Sequence, residues 1–357
     1  MNALADILAA RIKADGPMTL ADYMGACLLH PDHGYYTTRD PFGQAGDFTT
    51  APEISQMFGE LLGLCLAQTW MDQGRPPRIV LAEIGPGRGT LMADMLRAIG
   101  KVPGLREAAC VHLIEASDSL RRIQAQVLQG QGAIWHDDIA TLPEAPLYLV
   151  ANEFFDALPI RQFQRADAGW SERRVGLRAD MLGFGLTPPA PYPPLAARLA
   201  DTNPGDIVEL CPALPGIAQN IGTRIARHGG AALIVDYGDW QSLGDTYQAV
   251  QAHRPVDPFA TPGAADQTAH VDFEALALGF TTAGGKATAM TPQGVFLERL
   301  GIAARTRTLA QKLSGEALAS HQAAYRRLTD PSEMGQLFKV IACHPAHLPP
   351  PPGLDPC

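Results

Sequence analysis

The sequence predicts an α/β protein with a mostly parallel central sheet, a helical N-terminal cap and inserted β and loop segments. Between residues 79 and 151, short apolar runs alternate with amphipathic stretches, and a glycine turn follows the first of these runs. Strands that alternate with helices are typical of a parallel sheet covered by helices on both faces. The 357 residues, 46% hydrophobic and 18% charged, are enough for such a sheet to have a substantial core.

The N-terminal cap, residues 1–75, is predicted to consist of helices and one loop. Thr19 is a candidate N-cap for the helix that follows it. Residues 43–52 have no periodicity and are rich in turn-forming residues, which predicts an ordered loop. From residue 54 to Cys65 apolar side chains recur at helical spacing, which predicts a long helix that packs on the sheet.

A glycine turn joins the first predicted strand, residues 79–84, to the helix that begins at residue 90. Its glycines are spaced G-x-G-x-G, unlike the dinucleotide fingerprint, and the phosphate-loop ending is absent. Such a turn lets a ligand approach the backbone, and the helix offers unpaired N–H groups. We interpret it as a site for S-adenosyl-L-methionine (SAM), although similar turns also occur for purely structural reasons. The candidate cofactor-binding residues here are Glu83, Gly85, Pro86, Gly87, Gly89 and Thr90.

Polar side chains follow each later strand of the predicted sheet. In an open parallel sheet, ligands bind at the carboxyl ends of the strands, where the strand order reverses. Acids at every such end are therefore more informative than one isolated acid, and they repel a pyrophosphate but favour the cationic sulfonium of SAM. This weighs against NAD. The residues at these strand ends are Glu83, Glu115, Asp137 with Asp138, Asn152 with Glu153, and Asp236 with Tyr237.

Two of these positions have specific roles in the predicted SAM site. Glu115 ends the second strand, where its carboxylate can accept hydrogen bonds from both ribose hydroxyls; the alternative is an acid that caps the next helix. Asp137 or Asp138 can accept a hydrogen bond from the adenine amino group; the alternative is an acid that favours the helix dipole. Asn152 is also assigned to the cofactor site.

The second half of the sequence is less regular. Residues 161–186 resemble a β-hairpin, residues 238–270 are loop-like, and a run of prolines at 349–352 predicts a disordered tail. The predicted segments are an N-terminal cap (1–75), the first half of the core (76–160), an inserted hairpin and Pro-rich segment (161–205), the core continuation (206–240), substrate-side loops, helices and a final strand (241–343), and the tail (344–357).

Composition excludes several classes of function. The net charge of −9 argues against a general nucleic-acid surface, and no apolar run reaches the roughly 20 residues that span a bilayer. The six cysteines form no C-x-x-C pair, and His30 and His33 lack a second pair of metal ligands nearby. We therefore expect a cytoplasmic protein with reduced thiols, no metal, no nucleic-acid partner and no membrane insertion.

Five segments resemble the signature segments of the MidA-like family of class I SAM-dependent methyltransferases. This family comprises the mitochondrial complex I assembly methyltransferase and its bacterial relatives. The resemblance runs from about residue 20 to residue 343, and it implies a Rossmann-like class I methyltransferase fold. The segments are 33–36 (HGYY), 46–53 (GDFTTAPE), 81–91 (LAEIGPGRGTL), 151–159 (ANEFFDALP) and 268–273 (TAHVDF).

The resemblance implies transfer of a methyl group from SAM to a protein arginine, with S-adenosylhomocysteine (SAH) as product. Glu153 and Asp156 would form a fork of carboxylates that orients the guanidinium, and either could take the released proton. Alternatively, Asp156 caps the following turn and only Glu153 faces the site. The candidate catalytic residues are Glu153, Asp156 and Asn152. The candidate lid residues are Gly46, Asp47, Phe48, Thr49, Tyr237 and His270.

By the same resemblance, the substrate is a protein, such as a core subunit of NADH dehydrogenase (respiratory complex I) or its bacterial counterpart, and the product is a symmetric dimethylarginine. A bacterial member acts in the cytoplasm, whereas eukaryotic relatives act in the mitochondrial matrix. A homodimer is one possible assembly. Two alternatives stay open: a methyltransferase for a small molecule or another protein side chain, and a SAM-binding assembly chaperone.

Overall fold

The computed structural model of the protein describes residues 2–38 and 50–357. The helices are α1 (Ala3–Asp15), α2 (Leu20–Leu29), α3 (Tyr35–Thr38), α4 (Ala51–Ile54), α5 (Gln56–Asp72), α6 (Thr90–Ile99), α7 (Leu105–Ala108), α8 (Asp118–Val127), α9 (Leu214–His228), α10 (Phe273–Thr282), α11 (Gln293–Arg299), α12 (Ile302–Ala310), α13 (Gly315–Thr329) and α14 (Met334–Leu337). The strands are β1 (Met18–Thr19), β2 (Ile79–Ile84), β3 (Ala109–Ile114), β4 (Ile134–His136), β5 (Leu147–Asn152), β6 (Arg161–Ala166), β7 (Gly169–Arg178), β8 (Met181–Leu186), β9 (Ile207–Leu210), β10 (Gly230–Asp239), β11 (Gln248–Gln251), β12 (Arg254–Val256), β13 (Asp266–Thr268), β14 (Val271–Asp272), β15 (Gly285–Ala287), β16 (Thr291–Pro292) and β17 (Phe338–Pro345).

The central sheet has the order β15-β17-β10-β5-β2-β3-β4. Five adjacent strands run parallel to one another, namely β10, β5, β2, β3 and β4. Strand β17 is antiparallel to both β10 and β15. All residues of β2 and β5 are buried, as expected for strands covered on both faces. The predicted mostly parallel α/β sheet is confirmed, and its strand order reverses between β2 and β5.

Two apolar clusters cover the two faces of this sheet. One contains α5 and α6 side chains such as Phe58 and Met95 together with Leu81 of β2. The other contains side chains of α9 and α10, such as Ile221 and Phe280, packed on β5 and β10. The sheet therefore lies in the middle of a three-layer core, and its strand ends face the same edge.

A second, antiparallel sheet stands beside the core, with the order β1-β7-β6-β9 and with β8 paired to β7. The hairpin predicted for residues 161–186 is part of this sheet, which also takes one strand from the N-terminal cap. Ile207–Leu210, at the start of the predicted core continuation (206–240), pair with β6 of this sheet. Sequence periodicity does not reveal such pairing, since the partners are distant in the chain.

Two further segments are more ordered than the sequence suggests. Part of the loop-like region 238–270 forms a sheet of β12, β11 and β13, in which Pro255 lies on the edge strand β12, where proline is tolerated. The tail, residues 344–357, was expected to be disordered, but Leu354 is buried in the core and the Cys65 thiol lies 3.4 Å from the Pro352 carbonyl oxygen. Prolines that remove backbone freedom reduce the entropy lost when such a tail packs.

The helices of the described part of the chain, residues 2–38 and 50–357, include none long and apolar enough to cross a bilayer.

Candidate active site

The glycine turn after β2 adopts left-handed backbone conformations at each of its glycines. The φ angles are 65° at Gly85, 52° at Gly87 and 85° at Gly89. A Cβ atom at Gly85 would lie 2.9 Å from the Phe154 ring, so this position requires glycine for space as well as for conformation. Gly89 is the N-cap of α6 and offers no side chain to the helix N–H groups, which leaves the first turn at Thr90 available to a ligand.

Glu83 lies directly before this turn and is almost completely buried (2% exposed). Its Oε2 atom has no hydrogen-bond partner within the described residues, and neither has the Oδ1 atom of Asn152 at the end of β5. Burial raises the pKa of Glu83 to about 8; the Met92 N–H partly offsets this, and the charge of Glu115 adds to it. Unsatisfied buried acceptors are costly unless a ligand donates hydrogen bonds to them. Both residues line a small cavity of about 40 Å³ beside the glycine turn.

A larger cavity of about 330 Å³ continues from the glycine turn across the ends of β3 and β4. This volume is in the lower part of the range of about 300–1,000 Å³ that is typical of small-molecule sites. Its wall is mostly apolar and also includes acids. The lining residues include Leu28, Tyr36, Ile84, Gly85, Ile114, Glu115, Asp137, Asp138, Ile139, Phe154, Leu158 and Ile217.

Glu115 is fixed in the wall of the large cavity by hydrogen bonds to both carboxylate oxygens. Oε1 accepts from the Ser117 N–H (2.8 Å) and Oε2 accepts from the Gln124 side-chain amide (3.0 Å). Burial raises its pKa, and these donors partly offset the shift. Each oxygen keeps a second lone pair for a ligand, so the predicted ribose contact is compatible with this geometry and stays a prediction.

Asp137 and Asp138 both line the large cavity, and both also have structural roles. Asp138 Oδ1 accepts a hydrogen bond from the Ala140 N–H (2.8 Å) and caps a short 3-10 turn. Asp137 is exposed and forms an ion pair with Arg121. Asp138 thus has a structural role at the start of this turn, and the adenine contact stays a prediction for either acid.

The turn after β5 carries the candidate catalytic acids. Glu153 has a positive φ of 50°, which is rare for a residue with a side chain. Its Oε1 atom accepts hydrogen bonds from the Ala51 N–H and the Asn152 side-chain amide, both at 3.1 Å. Burial raises the pKa of Glu153 to about 7, and the nearby Asp156 adds to the shift.

Asp156 is buried (5% exposed), and its Oδ1 atom has no hydrogen-bond partner in the part of the chain that the structure describes. Burial raises its pKa to about 6, an effect that the Tyr237 hydroxyl and the Ala157 N–H partly offset. The contact with Ala157 agrees with a turn-capping role, while the unpartnered oxygen leaves capacity for a ligand. Its role in the carboxylate fork therefore stays a prediction.

Of the predicted lid residues, Tyr237 lies next to Asp156, and His270 packs against Tyr237. The Tyr237 ring packs edge-on against His270, with ring centres 5.5 Å apart, and against Phe338, at 5.4 Å. The His270 N–H donates to the Thr246 hydroxyl (2.8 Å), which fixes the loop that carries it. The other predicted lid residues, Gly46, Asp47, Phe48 and Thr49, lie outside the described residues.

Three further residues belong to this site but were not among the predicted site residues. Tyr36 lines the large cavity and donates its hydroxyl to Asp266 (2.8 Å). Glu53 lines the small cavity and accepts a hydrogen bond from the Thr90 hydroxyl (2.6 Å). Both lie in segments that carry the family resemblance, which is the one sequence signal for them. The third is Asp236. The sequence identifies it as a strand-end acid, but its hydrogen-bond partners become visible only in the fold.

Within residues 2–38 and 50–357, no cluster of three or more His, Cys, Asp and Glu residues is arranged to hold a metal ion.

Comparison with known proteins gives the same cofactor. Residues 61–292 match a family model described as "Putative S-adenosyl-L-methionine-dependent methyltransferase". A crystal structure of a protein from Burkholderia thailandensis, bound to S-adenosyl-homocysteine, superposes with a TM-score of 0.85 at 32% identity, covering 98% of this chain and 94% of that one. A second structure from that organism gives a TM-score of 0.82 at 31% identity, covering 98% of this chain and 93% of that one.

Curated relatives match over nearly the whole chain. The Xenopus laevis protein named "Protein arginine methyltransferase NDUFAF7, mitochondrial" is 37% identical, over 96% of this chain and 85% of that protein. The Homo sapiens protein of the same name is 37% identical, over 94% of this chain and 82% of that protein. The alignments therefore include both the glycine turn and the turn after β5 that carries Glu153 and Asp156, called the acid turn below.

Proposed function

This chain belongs to the family of S-adenosyl-L-methionine-dependent methyltransferases, and we propose that it methylates an arginine side chain of a protein. The observation that carries the proposal is the pair of carboxylates, half-buried Glu153 and buried Asp156, on a turn beside the candidate cofactor cavities. The names of the curated relatives support the same acceptor.

The residues of the two cavities fit the cofactor. The unpartnered oxygens of Glu83 and Asn152 suit a ligand with an ammonium group, and the glycine turn forms a cradle that a side chain at Gly85 would fill. The larger cavity offers apolar walls and the carboxylate of Glu115 to a nucleoside. When bound, SAM supplies a methyl group that its sulfonium activates for transfer.

Glu153 and Asp156 would bind and orient the acceptor. A guanidinium has a pKa above about 12 and stays charged in solution, so it pairs well with carboxylates in a planar, bidentate geometry. Such pairing fixes one nitrogen for attack and excludes water from the charged groups. The nitrogen that gains a methyl group loses a proton, and the raised pKa values of Glu153 (about 7) and Asp156 (about 6) make either carboxylate a competent acceptor of it.

Finer aspects of the function are also part of this proposal. The product would be a symmetric dimethylarginine, and the substrate a respiratory complex I subunit or its bacterial counterpart. The word "mitochondrial" in the names of the relatives supports the respiratory setting for those proteins. The cytoplasmic location and the homodimer stay predictions.

The test is methyl labelling of proteins. Purified protein is incubated with SAM labelled in its methyl group and with an extract of bacterial cells, and labelled polypeptides are hydrolysed and analysed for methylated arginines. We expect a labelled polypeptide that contains symmetric dimethylarginine, and its loss in Glu153→Gln. A matched control is Glu172→Gln, which changes a buried carboxylate of the antiparallel sheet. Label found only in small molecules, or equal labelling by Glu153→Gln, would contradict the proposal.

A further inference from the structure

Asp236 lies near the carboxyl end of β10, beside the turn that carries Glu153 and Asp156, and it is completely buried (0% exposed). Strand β10 pairs with β5 up to the register Val235 opposite Asn152, so its next residue faces the point where β5 ends. A carboxylate in such a place is expensive to bury, and burial raises its pKa well above the ordinary value, with further contributions from Asp156 and Glu153.

The partners of Asp236 are backbone N–H groups of the acid turn. Its Oδ2 atom accepts from three consecutive residues, Phe154 (3.2 Å), Phe155 (2.9 Å) and Asp156 (3.3 Å). Its Oδ1 atom accepts from the N–H of Tyr237 (2.9 Å). Both oxygens of the carboxylate thus accept hydrogen bonds from the backbone of the acid turn or of Tyr237, and they hold the segment that carries the candidate catalytic acids.

The acid turn needs such an anchor because its backbone is strained. Glu153 keeps a left-handed conformation that is unfavourable for a residue with a Cβ atom, and it persists only where the surroundings enforce it. The Glu153 N–H donates to the Val235 carbonyl (2.9 Å), and the next three N–H groups converge on Asp236. The end of β10 therefore fixes the whole turn from Glu153 to Asp156.

We propose that Asp236 is a positioning residue for methyl transfer, whose carboxylate holds the turn in the conformation that directs Glu153 and Asp156 toward the acceptor. This inference rests on the function proposed above. It assigns Asp236 no contact with cofactor or substrate, so the loss of its charge acts first on the acceptor side of the site, while Glu115 on the cofactor side keeps its own hydrogen bonds.

Asparagine at this position is a sharp probe because it keeps the shape and removes one acceptor. Both oxygens of Asp236 face N–H donors, whereas an amide offers one oxygen and one NH₂ group. In either amide orientation, the NH₂ group of the asparagine then faces a backbone N–H group, so that two hydrogen-bond donors oppose each other. The turn is expected to relax, and on the cofactor side this affects the cavity wall at Phe154, while the other glycines of the glycine turn and Glu115 keep their own contacts.

The experiment compares wild type, Asp236→Asn and the control Glu172→Gln in two assays. Binding of SAH is measured by calorimetry, which gives affinity and the fraction of competent protein. Initial rates of methyl labelling are measured with the cell extract as acceptor. For Asp236→Asn we expect the rate per competent site to fall by at least about tenfold, the effect of losing charge-assisted hydrogen bonds, with SAH affinity changed by less than about threefold. Glu172→Gln should retain both.

A merely structural role for Asp236 predicts a different result, in which the competent fraction and the labelling rate fall together while the rate per competent site is unchanged. That result overturns the inference but leaves the proposed function intact. A wild-type protein that labels no polypeptide overturns the proposed function and the inference with it.

A second measurement covers the case in which Asp236→Asn does not fold. Hydrogen exchange of the wild-type protein is followed by mass spectrometry at the amides of Phe154, Phe155 and Asp156. Although these residues lie in a turn, we expect their exchange to be as slow as that of the adjoining strand β5. Exchange at the rate of the exposed turn at Ala179 and Asp180 would overturn the inference.

Discussion

Two turns of the central sheet leave their strands with left-handed backbone, and they achieve it in opposite ways. The turn after β2 uses Gly85, Gly87 and Gly89, for which positive φ has little cost. The turn after β5 uses Glu153, whose side chain makes the same conformation unfavourable. The first gives up side chains so that a ligand can reach the backbone. The second keeps a side chain for chemistry and depends on contacts from another strand.

The comparison shows how one sheet can separate binding from reaction. The cofactor side depends on backbone shape, on Glu115, whose oxygens already have partners, and on the unpartnered oxygens of Glu83 and Asn152. The acceptor side depends on the two carboxylates of one turn, Glu153 and Asp156, and Asp156 keeps an unpartnered oxygen. Substitutions in the two turns should therefore affect different quantities: the rate of methyl transfer for the turn after β5 and the affinity for SAH for the glycine turn.

The largest effect is expected for Glu153→Gln. Loss of this carboxylate removes one arm of the fork and one proton acceptor, so the labelling rate should fall by roughly 100-fold to 1,000-fold. SAH affinity, measured by calorimetry, should change little because the glycine turn is intact. A variant that loses SAH binding and activity in parallel would show that the two turns are not separable in this way.

Gly85→Val should have the converse effect. A branched side chain at φ 65° is strained, and its Cβ atom would lie 2.9 Å from the Phe154 ring. We expect SAH affinity to fall by about 100-fold, or about 2.7 kcal/mol, in calorimetric titrations. Gly183→Val is the control, because a Cβ there has no neighbour within 4 Å. Unchanged affinity in Gly85→Val would remove the glycine turn from the cofactor site.

Glu83, the buried acid before the glycine turn, should make stability depend on pH. The pKa of Glu83 in the folded protein is about 8 against an ordinary value of 4.5, so the folded state holds a proton that the unfolded state releases in this range. Stability of the ligand-free protein should then fall as pH rises, by about 2 kcal/mol between about pH 6 and about pH 7.5 from this group alone.

Thermal or urea unfolding at these two pH values tests this prediction. In Glu83→Gln, the decrease in the free energy of unfolding between the two pH values should be smaller. The control is Glu172→Gln. Burial would raise the pKa of Glu172, but hydrogen bonds from Arg161 and Arg174 lower it overall, so its stabilising contribution is lost toward acidic pH instead. Glu172→Gln should therefore leave the decrease toward alkaline pH unchanged. An equal decrease in Glu83→Gln and wild type would contradict the burial of a protonated Glu83.

The smallest effect is expected where the N-terminal cap meets the glycine turn. Glu53 accepts a hydrogen bond from the Thr90 hydroxyl at 2.6 Å, and Thr90→Val removes that bond with little change of shape. SAH affinity should fall by about threefold to tenfold, which corresponds to about 1 kcal/mol. An effect as large as that of Gly85→Val would mean that the hydroxyl itself contacts the ligand.

The parts of the fold that the sequence predicts are those encoded by nearby residues. The glycine spacing marks the turn after β2, and the Thr19 side chain does accept the N–H of Asp22 at the predicted start of α2. The alternation of strand and helix patterns identifies the parallel sheet. Each of these signals lies within a few residues of the structure that it predicts.

The parts that the sequence did not predict depend on distant partners. Pairing of β9 with β6 and packing of Leu354 in the core join segments far apart in the chain. The same holds for the site, where Asp236 could be identified as a strand-end acid, but its three N–H donors lie on another strand's turn. Local composition also misleads when a proline-rich segment has a surface to pack on.

The position of β17 in the central sheet has a consequence for how the protein folds during synthesis. This strand comes late in the sequence, yet it lies between β10 and β15, not at the edge. Until it is made, β10 exposes an unpaired and entirely apolar stretch from Ala231 to Val235, which is the type of edge that recruits other chains. A nascent chain would therefore hold its nearly complete sheet open until β17 has been synthesised, and chaperones that shield strand edges should matter most before that point.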